Sequence, residues 1–262
     1  MNLKKFFTIS ACLMLAVNCF IPAEVQAVTK NEAIDFYNGL CTATNEFNVS
    51  EIKKYLDCSE NDVIEIFKIS GVPYPKTQAY FRIAMGLQAI GSLESAYEYY
   101  SKAISCTKNI KNMDSKFKSN IFIWRGYCNF VMMKNSNNFN ETNVKKMFDD
   151  FEISLRNDAN NGENYALLGE IYYTLGDYET ALKFLQTAEP LCENYETKKR
   201  IQESIEYVKA TIDDNKPGMI DWAKEHFSDI VKGGAILLGI AKVGLAFFGG
   251  GGGDSADYQY QE

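Results

Sequence analysis

GSLESAYEYYSKA, residues 91–103, and GDYETALKFLQTA, residues 176–188, are two copies of one pattern, and they decide the fold. In each copy a glycine, Gly91 or Gly176, ends one helix and Ser92 or Asp177 stands at the cap of the next. Small residues then recur seven apart, at Ala96 and Ala103 and at Ala181 and Ala188. Seven residues make two helical turns, so each pair of alanines lies on one face. A face of small residues lets a second helix approach closely, and Tyr100 and Leu185 are the bulky residues that fill the space beside it. The pattern predicts an all-α chain of antiparallel helix pairs stacked as an α-solenoid. Proteins of this build present surfaces, so binding is expected rather than catalysis in a cleft.

The helix before each turn completes the unit. Tyr165, Leu168, Gly169 and Tyr172 precede Gly176, and Tyr80, Ile83, Ala84 and Leu87 precede Gly91. On these residues the chain resembles the tetratricopeptide-repeat (TPR) family, whose 34-residue unit carries W-x2-L-G-x2-Y in its first helix and A-x3-F-x2-A in its second. The copies run from about Gly162 to Tyr195 and from about Thr77 to Ile110. A degenerate third copy lies between them. Trp124, Tyr127, Cys128 and Val131 fit its first helix, with a register on Gly126 as the alternative, and Met147, Phe151 and Ser154 fit its second. The stretch from Lys134 to Asn143 is rich in Asn and Ser and predicts a surface loop inserted into this copy. The resemblance covers Thr77 to Tyr195, under half of the 262 residues.

The flanks extend the stack. Residues 28–76 read as an N-terminal helical cap, with apolar positions at Ile34, Phe36, Tyr37, Ile52, Tyr55, Ile64 and Phe67 and a break at Gly71-Val72-Pro73-Tyr74-Pro75. Residues 77–213 are the repeat solenoid of about three units. They close with a capping helix whose apolar stripe is Ile201, Ile205, Val208 and Ile212. At the N-terminus, Lys4 and Lys5 precede an apolar run from Phe6 to Ile21, and Val25-Gln26-Ala27 offers a cleavage site. Residues 1–27 therefore read as a signal peptide, and the expected location is exported, periplasmic or extracellular, with membrane association open.

Residues 214–248 hold a C-terminal hydrophobic helix, and residues 249–262 a Gly-rich tail. A helix over Ile230 to Phe248 would be about 28 Å long, just short of a hydrocarbon core. Lys232, Ala235, Gly239, Lys242 and Ala246 share its narrow face, and bulky residues take the rest. Three readings stay open. The helix lies in a membrane interface, self-associates through Ala235-x3-Gly239, or folds back on the repeats.

Charge and chemistry narrow the function. Loss of residues 1–27 removes Lys4, Lys5 and Glu24 and takes the net charge from −7 to −8, which disfavours nucleic acid as a partner. Five cysteines remain, Cys41, Cys58, Cys106, Cys128 and Cys192, in no metal-binding spacing, and their pairing is undetermined. Cys41 with Cys58 is one pairing across the N-terminal helices. His226 is the single histidine, no phosphate-binding loop occurs, and Asp149-Asp150 reads as a solvated helix surface. No cofactor or metal and no enzymatic activity are expected. The family resemblance implies a groove lined by first helices: Phe81, Met85 and Gln88 in the first copy, Arg125, Asn129 and Met132 in the second, and Ala166, Glu170 and Tyr173 in the third. Phe81 and Met85 depart from the Lys and Asn that the family's carboxylate clamp needs, so the implied ligand is an apolar peptide or a helix. The expectation is an envelope scaffold with a protein or peptide partner. Its alternative is a membrane-active or self-oligomerising protein in which the C-terminal helix is the working part.

Overall fold

The computed structural model describes residues 28–213. The expected signal peptide, the expected C-terminal helix and the Gly-rich tail lie outside the described residues. Within them the chain is all-helical: α1 (Lys30–Asn45), α2 (Val49–Leu56), α3 (Glu60–Ser70), α4 (Pro75–Ala89), α5 (Leu93–Thr107), α6 (Ser115–Ser136), α7 (Glu141–Asn157), α8 (Gly162–Thr174), α9 (Tyr178–Leu191) and α10 (Tyr195–Asp213). They fall into two compact units, one up to Met147 and one from Phe148.

In the first unit, α1 opens with a capping box. The Glu32 amide donates to the Thr29 hydroxyl, and the Thr29 amide donates to the Glu32 carboxylate at 2.8 Å. The carboxyl of Glu32 is held below its usual value by these Thr29 bonds. Helix α2 seats Ile52 and Leu56 against Gly86 of α4, where an added Cβ would stand 3.1 Å from Ile52. Gly71 ends α3 in the left-handed region at φ +83°, and Pro75 occupies the first turn of α4, as the break in the sequence predicts. Cys41 and Cys58 both carry free thiols.

Helices α4 and α5 form the first clear pair. Gly91 turns between them at φ +84°. Ala96, Ala103 and Tyr100 are fully buried, and the Tyr100 hydroxyl donates to Gln88 Oε1 at 2.9 Å. The pair is tied to α3 through Glu60, which accepts from the Tyr80 hydroxyl at 3.0 Å and from Lys102 Nζ at 2.5 Å. Ser92 stands at the cap of α5 but makes no side-chain capping bond, whereas the Asp177 carboxylate accepts from the Thr180 amide at 3.0 Å. The two caps have similar backbone angles, and the longer carboxylate reaches the amide that a serine hydroxyl falls short of.

The inserted loop of the sequence reading is largely helix. Helix α6 continues to Ser136, Asn137 closes it at φ +48°, and α7 begins at Glu141. Asn and Ser bias a chain toward turns, but the burial of Met133 and Phe139 draws this stretch onto the core and leaves four residues to connect the helices. The extra length lies at the other end of α6. It starts at Ser115, and Phe117 packs edge-on against Phe81 of α4 at 5.5 Å. Gly126 and Cys128 are both buried, and the Cys128 thiol lies 3.4 Å from the Leu93 carbonyl.

The second unit contains the other clear pair. Tyr165, Leu168 and Tyr172 on α8 and Ala181, Phe184 and Ala188 on α9 are fully buried. An added Cβ on Gly169 would meet Leu185 and Ala181, and one on Gly162 would meet Ala188 and Cys192. Early α8 thus lies against late α9, so the two helices are antiparallel. Phe184 stacks on Tyr172 at 5.3 Å, and Phe148 of α7 sits 5.9 Å from the same ring. Asp150 of α7 is buried at 1 % exposure, so only Asp149 of that acidic pair lies on the surface. On α10, Ile201, Ile205, Val208 and Thr211 are buried, and Ile212 is only partly so.

Candidate functional site

First helices supply the expected groove residues, and each unit holds its own share. In the first unit, Phe81 and Met85 are buried at 5 % and 7 % exposure. Phe81 packs between Tyr100 and Phe117, so its ring serves the core and is not presented to a ligand. Gln88 is committed to the Tyr100 hydroxyl. On α6, Asn129 is buried and donates to the Asn143 carbonyl at 2.9 Å, which pins the start of α7. Arg125 is partly exposed, donates to the Ser101 hydroxyl at 3.3 Å, and lies over the rings of Tyr97 and Phe122. Met132 is partly exposed.

Two features of this unit escape a reading confined to first helices. Phe47, in the turn between α1 and α2, is left-handed at φ +52°, half exposed, and 6.4 Å from the Trp124 ring. Arg82 donates to Thr44 and Asn45, while its Nε is buried without a hydrogen-bond partner. Nothing in the sequence marks either. The Arg82 contacts depend on α1 returning beside α4, and the Phe47 contact on the turn after α1 reaching α6.

The second unit presents the more open face. Glu170 is exposed, Ala166 is partly exposed, and Tyr173 is partly exposed on the same side of α8. The ring of Tyr173 meets Tyr178 at 5.3 Å and Tyr207 of α10 at 5.6 Å. Tyr207 is 62 % exposed, and Tyr195 at the start of the same helix is 74 % exposed. The Tyr173 phenol is raised in pKa, first by its hydrogen bond with Tyr207 and then by burial. Tyr207 was absent from the sequence reading because it belongs to the capping helix, off that helix's apolar stripe. At the other end of α8, Glu163 interacts electrostatically with Arg200 of α10. Tyr173 therefore neighbours Tyr207 as Glu163 neighbours Arg200, so α8 and α10 run in the same direction. Between them lies a strip with Glu163 at one end, tyrosine rings at the other and Glu170 one turn from the rings.

Reactive chemistry is sparse here. Among the described residues no group of three His, Cys, Asp or Glu side chains is placed to hold a metal ion. Burial pushes the Cys128 thiol up to about 12 and the Cys58 thiol up to about 11, which leaves both thiols protonated near neutral pH. Among the described residues no helix is long and apolar enough to cross a membrane.

A molecule of antiparallel helix pairs, with glycine turns, fully buried alanines and a face of partly exposed first-helix residues, belongs to the class of helical-repeat interaction proteins. A family model described as Tetratricopeptide repeat matches residues 77–109 and again residues 162–189. The helix pairs α4–α5 and α8–α9 are the segments that match this repeat. No curated protein matches it.

Proposed function

We propose that this protein is a non-enzymatic scaffold of the cell envelope that holds a peptide or helix of another protein against the first-helix face of its repeats. Repeats of this family generally mediate contacts between proteins, which supports a protein partner. The observation that carries the choice of face is the strip on the second unit, where Glu170, Tyr173 and the 62 %-exposed Tyr207 stand together on the surface. Tyrosines offer broad amphipathic contact area at small entropic cost, and carboxylates beside them favour a ligand that carries basic residues. In the first unit, Arg125 and Met132 are the first-helix residues that remain partly exposed. Export rests on the sequence of residues 1–27, where two lysines, an apolar run and Val25-Gln26-Ala27 follow one another.

The competing reading makes the C-terminal segment the working part, and it rests on the apolar run around Gly233 to Phe248. Fractionation of native cells separates the two, with the full chain compared to one ending at Asp214. A scaffold keeps its partner after truncation. A membrane-active protein loses its activity and its place in the membrane pool together.

A further inference from the structure

We infer that the chain's own segment Ile230 to Phe248 seats its lysine-bearing face on the α8–α10 strip of the second unit and is the resident occupant that a partner must displace. The inference rests on the reading of that strip as a docking surface, and names what fills it first.

Spacing, charge and chain path support this occupant. Along α8 the strip reads Glu163, Ala166, Glu170 and Tyr173, at offsets of three, seven and ten residues. Along the segment Lys232, Ala235, Gly239 and Lys242 follow the same offsets, so the two rows match in length at about 15 Å each if the segment is helical. Ala235 and Gly239 carry no bulk at the centre of the row, which allows close approach. Residues 230–248 hold two lysines and no acidic residue, and the strip offers Glu163 and Glu170, with Arg200 beside the first and Glu203 exposed on α10.

The path of the chain allows an antiparallel arrangement. Tyr207 meets Tyr173 six residues before α10 ends at Asp213, so the chain leaves the described residues at the tyrosine end of the strip. The sixteen residues between Asp213 and Ile230 span up to about 55 Å when extended, ample to fold back. Laid antiparallel to α8, the segment brings Lys232 over the Tyr173 and Tyr207 rings, one turn from Glu170, and Lys242 within reach of Glu163. Lysine over tyrosine is a contact the first unit already makes, with Lys102 Nζ 4.2 Å from the Tyr99 ring centre. In this arrangement the bulky Ile, Leu and Phe side chains of the segment point away from the strip, toward a membrane or a second molecule.

The test uses the purified full-length chain with a photoreactive phenylalanine in place of Tyr207, irradiated in buffer and mapped by mass spectrometry. The expected result is a cross-link from position 207 to a peptide within residues 230–248 of the same molecule. A mixture of isotopically heavy and light chains should then yield no mixed species. Glu163→Lys should lower the cross-link yield roughly two- to fivefold, and adding Lys242→Glu should restore it. Mixed heavy–light cross-links would overturn the inference in favour of a second copy of the chain, and cross-links that miss residues 230–248 would overturn it outright. The docking reading fails by a different result, in which Tyr173→Ala with Glu170→Ala leaves partner binding unchanged.

Discussion

Replacing Gly169 with alanine tests the helix pairing at the point where it is tightest. The added Cβ would stand 2.7 Å from Leu185 Cγ, 2.8 Å from Leu185 Cδ2 and 3.3 Å from the Ala181 carbonyl oxygen. Leu185 is 5 % exposed and Ala181 is fully buried, so neither has open space to move into. Overpacking of this kind costs about 1–3 kcal/mol, and the better helix propensity of alanine returns about 1 kcal/mol, leaving a net loss of about 1 kcal/mol. Leu185→Ala alone removes a buried side chain and costs about 2–5 kcal/mol. In that background the new methyl group enters the space Leu185 vacated. Gly169→Ala then keeps its propensity gain without the clash, so its effect changes sign and the protein becomes more stable by up to about 1 kcal/mol. The coupling between the two sites should therefore be about 1–3 kcal/mol. Urea unfolding of the four proteins, followed by far-ultraviolet circular dichroism, measures the cycle. Additive effects, or a stabilising Gly169→Ala in the wild-type background, would refute the close approach of α8 and α9.

Asp177→Ala should cost about 1 kcal/mol because it removes a capping bond, while Ser92→Ala, which removes none, should change the urea midpoint by much less. Among the five cysteines of the described residues, fully buried Cys128 should react last with a thiol reagent at pH 8, its pKa of about 12 adding to its inaccessibility. Equal rates for all five would contradict the packing of α6 on α5. Burial tends to raise the carboxyl of Glu60, but bonds from Lys102, Tyr99 and Tyr80 outweigh it and hold it below 4.5. A carboxylate depressed in the folded state stabilises above its unfolded value, so the stability gap between wild type and Glu60→Gln should be complete at neutral pH and close as pH falls below 4.5 through the folded value. A gap that stays constant across that range would show that Glu60 is not held by these bonds.

The pairs α4–α5 and α8–α9 were legible from the sequence because their signals are local and repeated. A glycine that must turn left-handed and alanines that must be buried leave few alternatives at Gly91, Gly176, Ala96 and Ala181. Composition misled where tertiary burial overrode it. Asn and Ser around residue 137 suggested a long loop, and Asp150 suggested a wet surface, yet one stretch is mostly helix and the other side chain is buried. The face was legible by position but not by exposure. Helical spacing placed Phe81 and Ala166 at equivalent positions, while only the fold shows that Phe117, from the lengthened start of α6, closes over the first and that the second stays partly exposed. Tyr207 became part of the strip through the return of the capping helix beside α8, a contact between residues 34 positions apart that no local pattern encodes.

The most direct test of the binding face places a photoreactive residue in native cells at Glu170 on α8, and separately at exposed Lys183 on α9. The account predicts a discrete, heavier cross-linked species from position 170, weakened by Tyr173→Ala, and none from position 183. A species formed from position 183 alone, or equally from both, would contradict it.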